Sequence, residues 1–336
     1  MKSLDNKRIL VTGGTGSFGM FIVKRLLTLG VQEVRILSRD EKKHHDMRRH
    51  FSNEKRLNFL TGDIRDGQRV RQAVKGCDVV FQAAALKHVY ICEYHPYEAV
   101  KTNVMGVQNV IDAALEYNVA KLITVSTDKA VKPVNVMGMT KAIQERLVIA
   151  ANQLPNNTGT KLTCVRYGNV MSSRGSAIPF FRRLVAERKP ITITHPEMTR
   201  FLLTLDDAID LVMYAVENMQ GGEVYIKKAP AVRIMDLARS IAQSQGVEFN
   251  PLVIGMLPGE KLHEILISEE ELPRAHDLPG YFVVEPWWSG KRFNEVTEEY
   301  SSSGNLISSS GEISRLLERS DQEFTKYGMK DSDFMK

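Results

Sequence analysis

Short apolar runs alternate with stretches of helical spacing through the first half of the chain. RILVTGG is apolar until it stops at paired glycines, which predicts a buried strand and a turn. SFGMFIVKRLLTLG then sets apolar residues one helical turn apart as far as Gly30. EVRILSRD and LNFLTGDIRD predict a second and a third strand, RVRQAVKGC a helix and DVVFQAAA a fourth strand. YEAVKTNVMGVQNVIDAALEYNV predicts one long helix and KLITVSTD a fifth strand. MTKAIQERLVIAANQL predicts another helix and KLTCVRYGNV a sixth strand. Strands that alternate with helices at this spacing predict a parallel sheet covered on both faces, an α/β doubly wound fold.

After Val170 the rhythm changes. MSSRGSAIPFFRRLVAERKPITITHPEMTRF reads as loop, helix and short strand, and TLDDAIDLVMYAVENM and IMDLARSIAQSQG as further helices. From about Leu252 the pattern is irregular, with an aromatic cluster at YFVVEPWWSGKRF and a Ser/Gly-rich loop at EYSSSGNLISSSGE. The expected organisation is a nucleotide-binding domain over residues 1–170 and a smaller, discontinuous substrate-binding region over 171–336. Residues 200–230 are expected to pack back onto the first domain.

Composition adds bounds. The chain has 336 residues, 43% hydrophobic and 25% charged, which suits a soluble globular protein with a sizeable core. A net charge of +5 suits a phosphate-bearing ligand as well as a polyanion. The basic run from Lys42 to Arg56 carries Phe51 as its one Phe, Tyr or Trp, so nucleic-acid binding is not expected. Cys77, Cys92 and Cys164 lack C-x-x-C spacing and read as reduced thiols of a cytoplasmic protein. His88, His95, His195 and His263 form no ligand spacing, so no metal is expected. No apolar run reaches the ~18 residues of a membrane span, and the N-terminus leads into a strand without a secretory signal.

VTGGTGSFG sets Gly13, Gly16 and Gly19 at three-residue spacing between a strand and a helix. Such a turn lets backbone N–H groups approach a pyrophosphate, and the helix dipole favours the anion. Thr12, Thr15, Ser17 and Phe18 complete the candidate cradle. At the end of the second strand Asp40 stands where a ribose-binding acid is expected. Arg39 and Lys43, with Lys42, could instead meet a 2′-phosphate, which favours NADP over NAD; a solvated basic helix face is the structural alternative. Asp63 and Ile64 are placed to border the adenine. Ala83, Ala84 and Ala85 end the fourth strand with small residues that suit close approach of a cofactor.

At the end of the fifth strand stand Thr127, Asp128 and Lys129. Ligands of open α/β sheets bind at the carboxyl ends of strands, and a carboxylic acid beside an amine is a candidate acid/base pair. Thr127 and Asp128 could equally cap the next turn, and the two readings are compatible. Lys141, one helical turn beyond Met137, is expected to face the same cleft and to bond the nicotinamide ribose.

Taken together, TGGTGSFG, STDKA, the spacing that ends in Lys141, RYGNV, SRGSAIP and PGEKLHE resemble the extended short-chain dehydrogenase/reductase superfamily. More narrowly, they resemble the UDP-N-acetylglucosamine 4,6-dehydratases of surface-sugar synthesis. The resemblance runs from about Lys7 to Ile267 and thins past Gly280. It implies a Rossmann-like fold, a UDP-sugar substrate and a homo-oligomer, with a hexamer among the forms it allows. It also implies a recycled cofactor: hydride leaves sugar C4 for NADP, water is lost across C5 and C6, and hydride returns to C6. In the related dTDP-glucose enzymes the third residue of the triplet is a glutamate. Lysine there is similar to the enzymes that invert C5. The resemblance thus assigns Lys129 as the C5 base, Asp128 as the acid for the departing hydroxyl, and an L-arabino 4-keto product.

The position of Met137 usually holds a proton-moving tyrosine in that superfamily. A thioether exchanges no proton, so the C4 hydroxyl proton falls to Thr127 with Asp128, or to Lys141, and Met137 is left to pack against the sugar. Lys87, Tyr167, Asn169, Arg174, Ser176, Pro179, Arg200 and Glu260 are the implied substrate contacts, with Lys87 also near the cofactor. For the arginines a surface salt bridge is the alternative. Trp287 and Trp288 fit a lid or a subunit contact. The rival readings are a configuration-retaining 4,6-dehydratase, a UDP-sugar 4-epimerase and a non-catalytic NADP-binding sensor or scaffold.

Overall fold

The computed structural model describes residues 2–52, 54–171, 176–307 and 309–326. Six strands form its centre: β1 (Arg8–Thr12), β2 (Glu33–Ser38), β3 (Leu57–Thr61), β4 (Val79–Gln82), β5 (Lys121–Val125) and β6 (Lys161–Arg166). They lie parallel in the order β3-β2-β1-β4-β5-β6. The order reverses between β1 and β4, which opens a crevice at their carboxyl ends. Helices α1 (Ser17–Leu27), α2 (Glu41–His50) and α3 (Gly67–Val74) cover the first half. Ile9, Leu10, Val11, Val34, Ile36, Val80, Phe81, Leu122 and Ile123 fill the main core.

Strand Val224–Lys227 continues the sheet parallel to β6, and the hairpin of Ala275–Leu278 with Tyr281–Val284 adds two antiparallel strands. Helix Leu205–Asn218 packs on α1 and behind β5 and β6. A second core gathers Ile178, Phe181, Ile191, Leu237, Ile241, Ile313 and Leu317. Among the described residues no helix is long and apolar enough to cross a membrane.

Three elements differ from the sequence reading. The predicted long helix contains a π-helical segment: Pro96–Ala99 runs into Val100–Met105 and then Gly106–Glu116, and a separate short helix, Val89–Tyr94, precedes it. Pro96 lacks an N–H and starts a new helix. The wider π turn includes the buried Asn103, which bonds both backbone groups of Leu86, at 2.8 and 2.9 Å. The sixth strand also splits. Gly168 follows β6, and a Cβ there would stand 2.4 Å from Phe201 Cβ. Beyond it Asn169–Val170 leaves the large sheet and pairs with Thr199–Leu203. Finally, Ser310–Lys326 is a helix, where the reading left irregular chain; Ile313, Leu317 and Ser320 form its buried stripe.

One buried ion network joins these parts. Arg166, at the end of β6, is 2% exposed. It donates to Glu145 at 2.6 and 3.1 Å, to Glu271 at 2.9 Å twice, and to Leu266 O at 2.8 Å. Every one of its five N–H groups is thereby used. Ser126, next to Thr127, donates its hydroxyl to Glu145. Removing one partner from such a network strands the others without compensation. Arg166→Met is expected to lower the unfolding free energy by about 3–5 kcal/mol in urea titrations. Adding Glu145→Gln and Glu271→Gln should return part of the loss. A loss below about 1 kcal/mol for the single variant would contradict this account.

Candidate active site

The turn after β1 is shaped by steric exclusion. Gly13 has φ +65°, and a Cβ there would lie 2.9 Å from the backbone of Ala84. Its N–H donates to Leu37 O at 2.8 Å. At Gly19 a Cβ would stand 2.2 Å from Gly14 O, so α1 can press against the turn only without a side chain. Gly16, before the first residue of α1, has no side chain to cap the helix, and a Cβ there would meet Gly13 O alone within 4 Å. Thr12 accepts from Ala83 N and Ala84 N at 3.2 Å each and donates to Gln82, joining β1 to β4 at the switch point. Thr15 bonds Ser38 at 2.7 Å, Ser17 is buried, and Phe18 packs on the main core. An open glycine turn at a helix N-terminus, beside the small residues Ala83, Ala84 and Ala85, fits a dinucleotide pyrophosphate.

At the adenosine end, Asp40 caps α2 by accepting from Lys43 N at 2.9 Å and pairs with Lys43 Nζ at 3.2 Å. Its carboxyl is held below the usual range, chiefly by that backbone N–H. Arg39 stays half exposed and reaches Asp63 at 3.3 Å. Burial pushes the Asp63 carboxyl up, but bonds from Arg65 and the charge of Arg39 outweigh it and bring it down. Ile64 is buried against Gly106, where a Cβ would lie 2.8 Å away. Lys87 is exposed just past Leu86.

The short helical turn Asp128–Ala130 begins where β5 ends, and Thr127 is its cap. Asp128 is fully buried and accepts at Oδ1 from Thr127 Oγ1 at 2.8 Å and Lys129 Nζ at 2.9 Å. Its Oδ2 faces Gly168 and has no hydrogen-bond partner among the described residues. Lys129 Nζ also donates to Asn169 Oδ1 at 3.3 Å and pairs with Glu264 Oε1 at 3.3 Å. Burial pulls the amine down, but Asp128 and Glu264 outweigh burial and raise it, so the resting group is an ammonium. Asp128 meets the cleft through its two neighbours, since both Thr127 and Lys129 are part-exposed.

Helix Val136–Ala150 carries Met137 and Lys141. Gly138 lets it close on the Asp128–Ala130 turn: a Cβ there would stand 2.3 Å from Lys129 O. Met137 lies in a small apolar cluster with Cys92 and Ala99. Lys141 Nζ donates to Val125 O at 2.7 Å and Gln144 Oε1 at 2.9 Å, and burial pushes its amine down to about 8.

The other expected substrate residues spread over the second half. Tyr167 O accepts from Asp128 N at 3.1 Å, and burial raises the Tyr167 hydroxyl. Arg200 is buried, donates to Thr199 O at 2.7 Å and lies 3.9 Å from Glu264. Ser176 precedes helix Ala177–Ala186, whose first turn contains Pro179. Arg174 lies outside the described residues. Glu260 accepts from Leu257 N at 2.9 Å within its own turn. The fold thus brings Thr127, Asp128, Lys129, Asn169 and Arg200 together. Met137, the Lys141 amine and the Glu260 carboxyl have partners of their own elsewhere.

Glu264 and Lys261 escaped the sequence reading. Glu264 is 2% exposed and Lys261 pairs with it at 3.6 Å while donating to Val131 O at 2.6 Å. Both lie in PGEKLHE, beside the residue that was singled out, and a local pattern does not tell which of several acids points inward.

The chain as a whole is similar to known proteins. A family model described as polysaccharide biosynthesis protein covers residues 9–286. A protein of Rickettsia felis named UDP-glucose 4-epimerase is 46% identical over 283 residues, 83% of each chain. The X-ray structure of Pen from Bacillus thuringiensis superposes with a TM-score of 0.90 at 36% identity, covering 95% of this chain and 98% of Pen. DesIV, a dTDP-glucose 4,6-dehydratase from Streptomyces venezuelae crystallised with NAD, gives a TM-score of 0.69 over 76% of this chain and 86% of its own. At 21% identity that likeness shows the fold alone. The chain therefore belongs to the polysaccharide biosynthesis protein family.

Proposed function

We propose that the protein is a UDP-N-acetylglucosamine 4,6-dehydratase that inverts C5 and uses NADP without consuming it. The observation that carries this reading is the Thr127–Asp128–Lys129 constellation, one buried carboxylate shared at 2.8 and 2.9 Å by a hydroxyl and an amine. A bound nicotinamide dinucleotide would supply the oxidation at C4 and the reduction at C6. Arg39 and Lys43 support a 2′-phosphate at the far end. Arg200 is assigned to the diphosphate.

Proton traffic follows from burial. The Lys129 ammonium first releases its proton to water, which its partial exposure permits. The sugar O4 proton then passes through Thr127 Oγ1 to Asp128, which has no direct access to the cleft. Lys129, now a neutral amine, takes the proton from C5. Asp128 returns its proton through Thr127 to the departing C6 hydroxyl, which leaves as water. As hydride returns to C6, C5 takes a proton from water on the opposite face, which balances the proton that Lys129 first released. Both groups end as they began the cycle, so the sugar has lost one water.

The relative named UDP-glucose 4-epimerase supports a second reading, in which C4 is reduced again and no keto-sugar is released. An epimerase needs no base for C5, and Lys129 beside Asp128 is then unexplained. The face of Tyr90, Tyr94 and Tyr97, all well exposed, supports a homo-oligomer, to be weighed by light scattering.

Incubation with UDP-N-acetylglucosamine and NADP should yield a 6-deoxy-4-keto sugar inverted at C5, read by NMR. A retained centre, a 4-epimer or an unchanged substrate would each replace this reading by one of its rivals. Lys129→Ala should halt after C4 oxidation, with trapped NADPH absorbance and no solvent exchange at C5; normal exchange would remove Lys129 from the role. Met137→Ala should keep measurable turnover, whereas Asp128→Ala should lose about 100-fold or more. Arg39→Ala should weaken NADP binding about tenfold and barely change NAD in fluorescence titrations; equal losses would argue against the 2′-phosphate site.

A further inference from the structure

We propose that Glu264 is the positioning carboxylate of Lys129, holding the amine beside Asp128 and delaying its use as a base. The inference deepens the proposed function and rests on Lys129 acting at C5. Glu264 lies far along the chain from Lys129, yet its place is tightly set. Its N–H donates to Ser302 Oγ at 2.9 Å, and its carbonyl accepts from Ser302 N at 2.8 Å. The next residues, Ile265–Ile267, pair with Tyr300–Ser301. Both Glu264 and Ser302 are almost wholly buried.

Three cations converge on this one carboxylate. Lys129 Nζ lies 3.3 Å from Oε1, Arg200 Nε 3.9 Å from Oε1 and Lys261 Nζ 3.6 Å from Oε2. His263 turns away to Thr199 at 2.8 Å. Asp128 and Asn169 also accept from Lys129 Nζ, at 2.9 and 3.3 Å. Lys129 thus contacts two carboxylates. Only one of them, Asp128, is also bonded to the hydroxyl that meets the sugar. The travelling proton therefore goes to Asp128, which that hydroxyl reaches at 2.8 Å. Glu264 meanwhile favours the ammonium form of Lys129. Loss of that charge should make the amine easier to deprotonate.

Competitive labelling of the full chain with acetic anhydride, read by mass spectrometry across pH, reports the Lys129 midpoint without substrate. In Glu264→Gln we expect that midpoint to fall by about one pH unit or more. Glu264→Asp should return it toward the native value, and also serves if the glutamine variant does not fold. The acid limb of the pH–turnover profile should move by the same amount. A fallen midpoint with an unmoved limb would keep the positioning role and overturn Lys129 as the C5 base. An unchanged midpoint in a folded Glu264→Gln protein overturns the inference, because a merely structural carboxyl would leave the amine's titration alone.

Discussion

Everything around the candidate site depends on the burial of one guanidinium. Arg166 can stay in the interior only because Glu145, Glu271 and the Leu266 carbonyl take all its N–H groups. Those partners come from the helix after the Asp128–Ala130 turn and from the late segment that follows Glu264. The network therefore does more than neutralise a charge. It sets the distance between the carboxyl end of β5 and a stretch of chain that would otherwise be free to drift.

That distance decides the electrostatics of the site. Asp128 is fully buried and Lys129 is part-buried beside it, and such charges are costly to dehydrate unless each has close partners. The amine finds Asp128, Asn169 and Glu264, and in the resting protein it is held protonated. Lys141 illustrates the opposite case. Its amine has neutral oxygen partners in Val125 and Gln144, so burial lowers it to about 8. Two buried lysine amines are thus shifted in opposite directions because of what surrounds them.

Steric contacts explain why certain glycines stand where they do. Gly13 has positive φ and touches Ala84, Gly138 closes on Lys129 O, and Gly168 bends the chain over Phe201. The first was evident as part of a spaced motif. The other two lie singly in helix and strand patterns, and their neighbours come from elsewhere in the chain. The same limit explains the split sixth strand, which reads as one apolar run although Gly168 sends its end to another sheet.

The sequence by itself determined the alternating parallel sheet, the glycine turn after β1 and the Thr127–Asp128–Lys129 triplet. Each is written within a few consecutive residues, through period, punctuation or adjacency. Tertiary structure alone decided that Asp128 is sealed behind Thr127 and Lys129, and that Met137 packs with Cys92. It also decided that Lys129, Lys261 and Arg200 converge on one carboxylate, that of Glu264. The physical reason is that charge and solvation act through space. The field at Lys129 comes from strands and turns joined only when the second half of the chain folds back across the first.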